Sequence, residues 1–309
     1  MTRTIPMEKP VFEEVNGFEV VFEPPTVDEY LHFRKIGGLG VKDRASVQSS
    51  LDQSVFSVQV RHNGRCVGFC RLLGDGGLWY FMVDGVVLPE YQADGIGKFV
   101  VSMPNWYFYE NAPAGAFLFG VTHVPGFTLK CGFTLLPQEY QSSYAWVPPF
   151  DTDGPRPENP VKQDLPDIGF SLVQDLPDEQ SYHELREKCG LVKKDQPATG
   201  ESFSNTLRSV CIFDEGELIG MARILGDSGL WYYMVDIMAH PNYDRNSLIE
   251  AMTHNLTSWF FDVAPPGGYM IAYTDHDVDL SKTGLIPLPE REVPLFTFQK
   301  DPADLGSML

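Results

Sequence analysis

Three apolar runs, 56–61, 65–73 and 78–88, are separated by His62-Asn63-Gly64 and by Gly74-Asp75-Gly76-Gly77. Asn-Gly and Asp-Gly between apolar runs favour tight hairpin turns, so the pattern predicts an antiparallel meander of three strands. Ahead of it, 17–23 alternates as a half-buried strand does. Thr26-Val27-Asp28-Glu29 forms a capping box that opens a helix running toward Ile36, where Gly37-Gly38 stops it, and Asp43 can cap a second short helix. Behind the meander the pattern gives a helix from Ile96, an apolar strand over 116–122, a short helix and a final pair of strands. This order predicts an α+β domain on a mixed, mostly antiparallel sheet flanked by helices.

The same pattern returns at a constant offset of 152 positions. Arg71, Asp75, Trp79, Tyr80 and Asp84 recur as Arg223, Asp227, Trp231, Tyr232 and Asp236, and fifteen of the twenty-eight residues in 64–91 match 216–243 without a gap. The same offset pairs Tyr30 with Tyr182, Lys42 with Lys194 and Gly132 with Gly284. A register held over so many residues means duplication of a whole domain. The proline-rich stretch following Val147 reads as the join, which divides the chain into 1–147, a linker 148–165 and 166–309.

Composition narrows the partners. With 23 basic and 42 acidic residues the formal charge is −19, which weighs against nucleic acid, whose binding relies on Lys and Arg. Neither a run long enough to span a membrane nor an apolar leader core is present, and the five cysteines are never spaced as C-x-x-C. A cytoplasmic protein with reduced thiols and no metal is expected.

The segment with chemical potential follows the third meander strand: Gln92-Ala93-Asp94-Gly95-Ile96-Gly97-Lys98. Glycine there lets the backbone approach a ligand closely, and a helix starting near Ile96 presents unpaired N–H groups suited to a pyrophosphate. The second copy carries Asp244-Arg245-Asn246-Ser247-Leu248-Ile249 here, without glycine, so one ligand per chain is expected. Arg71 and Asp75 bracket a turn and read as its salt bridge; Trp79, Tyr80 and the 106–109 aromatics read as packing.

The glycine loop after a two-hairpin meander resembles the Q/R-x-x-G-x-G/A motif of the GNAT acetyltransferase superfamily, and 127–133 resembles that family's F-Y-e-k-x-G-F segment, with Thr128 in place of the tyrosine. The resemblance implies two tandem GNAT-like domains, the second degenerate. It implies acetyl-CoA as co-substrate, its pyrophosphate on residues 92–98, and an amine as acceptor: a small primary amine or an amino-acid-like metabolite. Backbone groups of Val86, Val87 and Leu88 would hold the pantetheine and polarise the acyl carbonyl. Asp84 and His123 are the candidate bases. Asp236 repeats Asp84 in the degenerate copy, which favours a structural role for it, whereas Asp275 replaces His123. A non-catalytic acyl-CoA-binding or scaffold protein is the alternative, and a homodimer is left open.

Overall fold

The hairpin signals are realised as turns. Asn63 and Gly64 both take left-handed angles (φ +49° and +78°), as a two-residue hairpin loop with right-handed strand twist needs. The structure, a computed structural model, describes residues 8–14, 16–37, 42–135, 142–146, 167–191, 194, 196–274, 279–288 and 293–298. The proline-rich join, Gly38, Asp195 and Asp275 lie outside the described residues.

In chain order the first unit contains β1 (Phe18–Val21), α1 (Val27–Ile36), α2 (Arg44–Asp52), β2 (Phe56–His62), β3 (Arg65–Gly74) and β4 (Trp79–Val87). It continues with α3 (Ile96–Asn111), β5 (Phe117–Thr122), α4 (Pro125–Thr128), β6 (Thr134–Leu135) and β7 (Ser142–Trp146). The second unit repeats the series as β8 (Leu172–Val173), α5 (Glu179–Lys188), α6 (Gln196–Ser204), β9 (Arg208–Asp214), β10 (Glu217–Gly226) and β11 (Trp231–Ala239). It ends with α7 (Arg245–Val263), β12 (Tyr269–Thr274), β13 (Ile286–Pro287) and β14 (Val293–Phe298). The predicted capping box opens α1: Thr26 Oγ1 accepts from the Glu29 amide at 3.3 Å and Glu29 accepts from the Thr26 amide at 3.0 Å.

Two seven-stranded sheets result, in the orders β1-β2-β3-β4-β5-β14-β6 and β13-β7-β12-β11-β10-β9-β8. The units have therefore exchanged strands. β14 lies antiparallel to β5, from Val293 opposite Thr122 to Phe298 opposite Phe117, and β7 lies against β12 in the other sheet. A cut at 147 places β7 in the first unit by sequence, whereas its hydrogen bonds belong to the second sheet.

The junction is nearly two-fold symmetric. Phe81 stacks on its own repeat, Tyr233, with ring centroids 3.6 Å apart. Around this pair a shared apolar cluster gathers Leu73, Val83 and Phe119 with Leu225, Val235 and Ile271. Ser50 donates to Asp227 and Ser202 to Asp75. Lys194 donates to the Gly115 carbonyl at 2.7 Å, and Lys42 to that of Gly267. A side chain on Gly77 would run into the Ala198 carbonyl of α6, and one on Gly229 into the Ser46 carbonyl of α2, so each turn needs glycine to seat on the other unit's helix.

One expected ion pair is different. Arg71 does not bridge to Asp75 but to Asp84, at 2.6 Å. Asp75 Oδ1 instead accepts from the amides of Gly77, Leu78 and Trp79, and Oδ2 meets Arg223 of the other unit at 3.3 Å. Sequence proximity misled because a strand residue reaches its neighbour across the ladder as easily as the next turn. The aromatics pack as expected: Phe108 is fully buried, and Trp106 and Tyr107 lie against the first core.

Burial also fixes the alkaline response. It pushes the thiols of Cys66 and Cys211 up to about 12, and those of Cys70 and Cys131 upward as well. The phenols of Tyr30, Tyr80, Tyr182 and Tyr233 are raised by the same cause. Above pH 9 the unfolded chain loses these protons first, so it binds fewer protons than the native state and stability falls as pH climbs from about 9 toward 12. Lys42, lowered by burial to about 8, and Lys194, also lowered, oppose this, because they shed protons earlier when folded. Four thiols and four phenols outweigh two lysines. Urea midpoints are expected to fall steadily between pH 9.5 and 11; a rise across that window would contradict the assignment.

Candidate active site

β4 and β5 run parallel and in register from Trp79 opposite Phe117 to Met82 opposite Gly120, and then diverge. On its other side β4 carries a bulge. Its pairing with β3 slips between Arg71–Val83 and Phe69–Val86, which leaves Asp84 and Gly85 to share one place. Asp84 sits there at φ +57°, a conformation costly for a non-glycine residue. Its side chain pins it. Oδ2 accepts from Arg71 at 2.6 Å and 2.9 Å, and Oδ1 accepts from the Tyr30 hydroxyl at 3.1 Å.

Arg71 is wholly buried, and its remaining N–H groups go to the Ser50 carbonyl, Ser50 Oγ and Ser54 Oγ. All five guanidinium donors are thus used within the protein. Asp236 repeats the arrangement at φ +52° with Arg223 and Tyr182, and adds Arg186 and the indole N–H of Trp79. Converting Asp84 to Asn should cost roughly 3–5 kcal/mol, because it takes the ion pair from the buried Arg71 guanidinium. Converting Asp236 to Asn should cost a similar amount, because Arg186 and Arg223 share that carboxylate and Arg223 keeps only the longer contact to Asp75. Chemical denaturation of D84N and D236N checks this, and a loss below about 1 kcal/mol in both would show that the clamp is dispensable.

Beyond the bulge, Val86 and Val87 pair with Phe69 and Gly68 of β3. The Leu88 amide is committed to the Val67 carbonyl at 2.9 Å, so Leu88 offers no free N–H to a ligand. The Gln92 side chain turns back to the Val87 carbonyl at 3.4 Å. Ala93 and Asp94 are exposed, and Gly95 takes φ +78° at the N-cap of α3 with no side chain capping the helix. Space around Gly95 is open, so the left-handed angle, not crowding by the protein, calls for glycine. The first-turn amides of Ile96, Gly97 and Lys98 have no helical carbonyl to bond and carry the positive end of the helix dipole. Exposed Val124 and Phe127 stand nearby, with Phe127 about 3.3 Å from where a Gly97 side chain would begin.

The second unit closes the same place with its own carboxylate. α7 begins at Arg245, a turn earlier in the repeat than α3, and Asp244 accepts from the Ser247 amide at 3.3 Å. Glu250, the counterpart of Lys98, bridges to Lys282 at 3.2 Å.

In the V between the diverging strands lies a cavity of about 130 Å³. Residues 82–85 of β4 and 120–122 of β5 form its sides, Val101 and Thr128 its inner end, and Trp231 and Tyr233 of the second unit its far wall. At the 152 offset Gly85 corresponds to Ile237 and Gly120 to Ala272, so the second unit carries larger side chains at these two places.

No family model matches the chain, and no curated protein matches it. Solved structures do. The tandem GNAT protein from the clavulanic acid biosynthesis pathway is 16% identical, with 90% of this chain and 98% of that one covered at a TM-score of 0.53. The chain has the tandem GNAT fold. A GCN5-related N-acetyltransferase from Sphaerobacter thermophilus covers 90% of this chain and 95% of its own at 12% identity and a TM-score of 0.51. A chain from Pyrococcus horikoshii gives 13% identity, 95% and 93% coverage and a TM-score of 0.55.

Within this GNAT fold the structure brings Asp84 to the cavity but not His123, which is exposed just past the end of β5. Thr128 lines the cavity with its hydroxyl donated to the Pro125 carbonyl at 3.1 Å. Among the described residues no cluster of His, Cys, Asp and Glu could hold a metal, and no helix is long and apolar enough to cross a membrane. Sequence reasoning passed over Gly85, Gly120 and Tyr233, and read Trp231 with Trp79 as packing, whereas it lines the cavity. The glycine-for-isoleucine and glycine-for-alanine differences between the copies were the available signal.

Proposed function

We propose that the chain transfers an acetyl group from acetyl-CoA to the amine of a small metabolite, and that the first unit alone binds the co-substrate. The observation that carries this reading is the uncapped start of α3 beside the V-shaped cavity, set against the self-capped start of α7. Helix amides at residues 96–98, with Lys98 alongside, suit a pyrophosphate. Exposed Val124 and Phe127 suit the apolar part of a pantetheine arm.

The residues then divide the work of direct transfer. Asp84 is the only carboxylate among the described cavity residues. It attracts the ammonium form of the acceptor and receives the proton that the amine must give up, directly or through a water. His123 is assigned no part. Thr128 stands where relatives of this motif place a tyrosine, so that position offers no phenol to the departing thiolate. That substitution favours one rival, an acyl-CoA-binding protein without turnover.

Calorimetric titration should show one acetyl-CoA per chain. A thiol-release assay over a panel of primary amines should show acceptor-dependent CoA. Binding with no acceptor-dependent release across the panel would favour the rival, and absence of binding would end both readings.

A further inference from the structure

The second unit sets a hydroxyl against the cavity of the first. Tyr233 of β11 lines that cavity, and its ring lies flat on Phe81 of β4. Its repeat in the first unit is that same Phe81, which has no hydroxyl and is not part of the described lining. Of the two stacked rings, only the one that borders the first unit's V carries an O–H group.

The polar side chains of the lining differ in what they can offer a bound molecule. Thr128 donates to the Pro125 carbonyl at 3.1 Å, and Thr122 Oγ1 holds the Val124 amide at 3.1 Å. Asp84 is clamped by Arg71 and Tyr30. Trp231 Nε1 and Tyr273 Oη lack hydrogen-bond partners, but both are sealed inside the protein. Tyr233 Oη is neither hydrogen-bonded among the described residues nor sealed in this way, so its proton is available to an occupant of the cavity. Burial, above all, pushes its pKa well above the usual phenol value, which keeps it protonated through the neutral range. It is a donor there, not a base.

Such a donor meets a need of the first unit. An oxyanion forming from a thioester is stabilised by fixed donors around it, and the Leu88 amide is already spent on the Val67 carbonyl. We infer that Tyr233 of the second unit donates a hydrogen bond to the acyl carbonyl oxygen of acetyl-CoA bound by the first. The inference rests on the acyltransferase reading for the ligand in the V. The amine nitrogen bonds to the carbonyl carbon, and the C=O π pair moves onto the oxygen beside Tyr233. When that pair returns, the C–S bond breaks and CoA leaves as the thiolate. The proton lost by nitrogen passes by way of Asp84 or water to the thiolate, and the phenol keeps its own. Tyr233 is thereby a catalytic residue that the second unit lends to the first.

Acetyl-CoA labelled with carbon-13 at the thioester carbonyl tests this by difference infrared spectroscopy, alongside rates with the fastest amine of the panel. Y233F should move the bound carbonyl band to higher frequency than in the wild-type protein. Its kcat should fall about a hundredfold. KM for acetyl-CoA should move by less than about tenfold, since a neutral hydrogen bond gains strength only as charge develops. The melting temperature should hold, because the lost oxygen bonds nothing in the free protein. T122V, which removes the hydroxyl at the end of β5, should leave the band in place. An unmoved band in Y233F, a band that moves in T122V instead, or a large drop in the Y233F melting temperature would overturn the inference. Wild-type transfer rates in Y233F would also end it and keep the acyltransferase reading. A band that moves in Y233F, with no transfer to any amine, would end that reading and keep Tyr233 as the carbonyl's partner.

Discussion

A variant in which residues 92–98 are replaced by the sequence of residues 244–250 should fold normally and lose acetyl-CoA affinity by at least about a hundredfold. The exchange brings Asp to the place of Gln92, Ser to that of Gly95, Ile to that of Gly97 and Glu to that of Lys98. These four changes act against an anion, while Arg at the place of Ala93 and Asn at that of Asp94 act the other way, leaving the segment more negative by one charge. The introduced carboxylate caps the amides as Asp244 does, and the lysine charge is reversed. Losing two charge-assisted hydrogen bonds, at about 1.5–3 kcal/mol each, already accounts for the expected factor. Folding should survive because the donor segment starts α7 in the same surroundings of meander and helix. Calorimetry and a thermal melt read the two quantities separately. Unchanged affinity in a well-folded variant would remove the loop from the site.

Residues 1–147 expressed alone should not give a stable monomer. The segment keeps β7, whose partner β12 is absent, and lacks β14, which occupies the slot between β5 and β6. It would also expose Phe81, Phe119 and Val83 to water and leave Asp75 without Arg223 and Ser202. The apolar faces and the vacant strand slot favour mutual exchange between two copies, since β7 holds the place in the repeat that β14 holds in the second unit. Sedimentation should therefore report a dimer or an aggregated chain. Co-expression with 166–309 should restore the intact assembly. A monomeric 1–147 with a cooperative melt would show that the exchanged strands are not needed.

The meander, the capped helices and the glycine loop were legible in the sequence because each depends on neighbours a few residues away. Asn63-Gly64 needs only its own backbone angles, and Thr26 needs only Glu29. The strand exchange was not legible. β7 and β14 hold equivalent places in the repeat, so local pattern is equally satisfied whichever sheet receives them. The partners of Arg71 were hidden for a related reason: Asp75 and Asp84 both lie within reach along a hairpin, and only the bulge at residue 84 turns its carboxylate onto the guanidinium. The cavity lay in plain view as two glycines where the other copy carries larger residues. A missing side chain, however, carries no message until the walls around it are known.

Joining the halves in one polypeptide has an evolutionary consequence. In an assembly of two identical chains every substitution appears twice, so a mutation that deepens one pocket deepens both, and a loop sacrificed for stability is sacrificed everywhere. Here Gly85 could stay small while Ile237 grew, and Asp244 could neutralise one helix end while Gly95 left the other bare. Asymmetry of that kind is closed to a dimer of one identical chain, and it lets one half specialise as the other's wall.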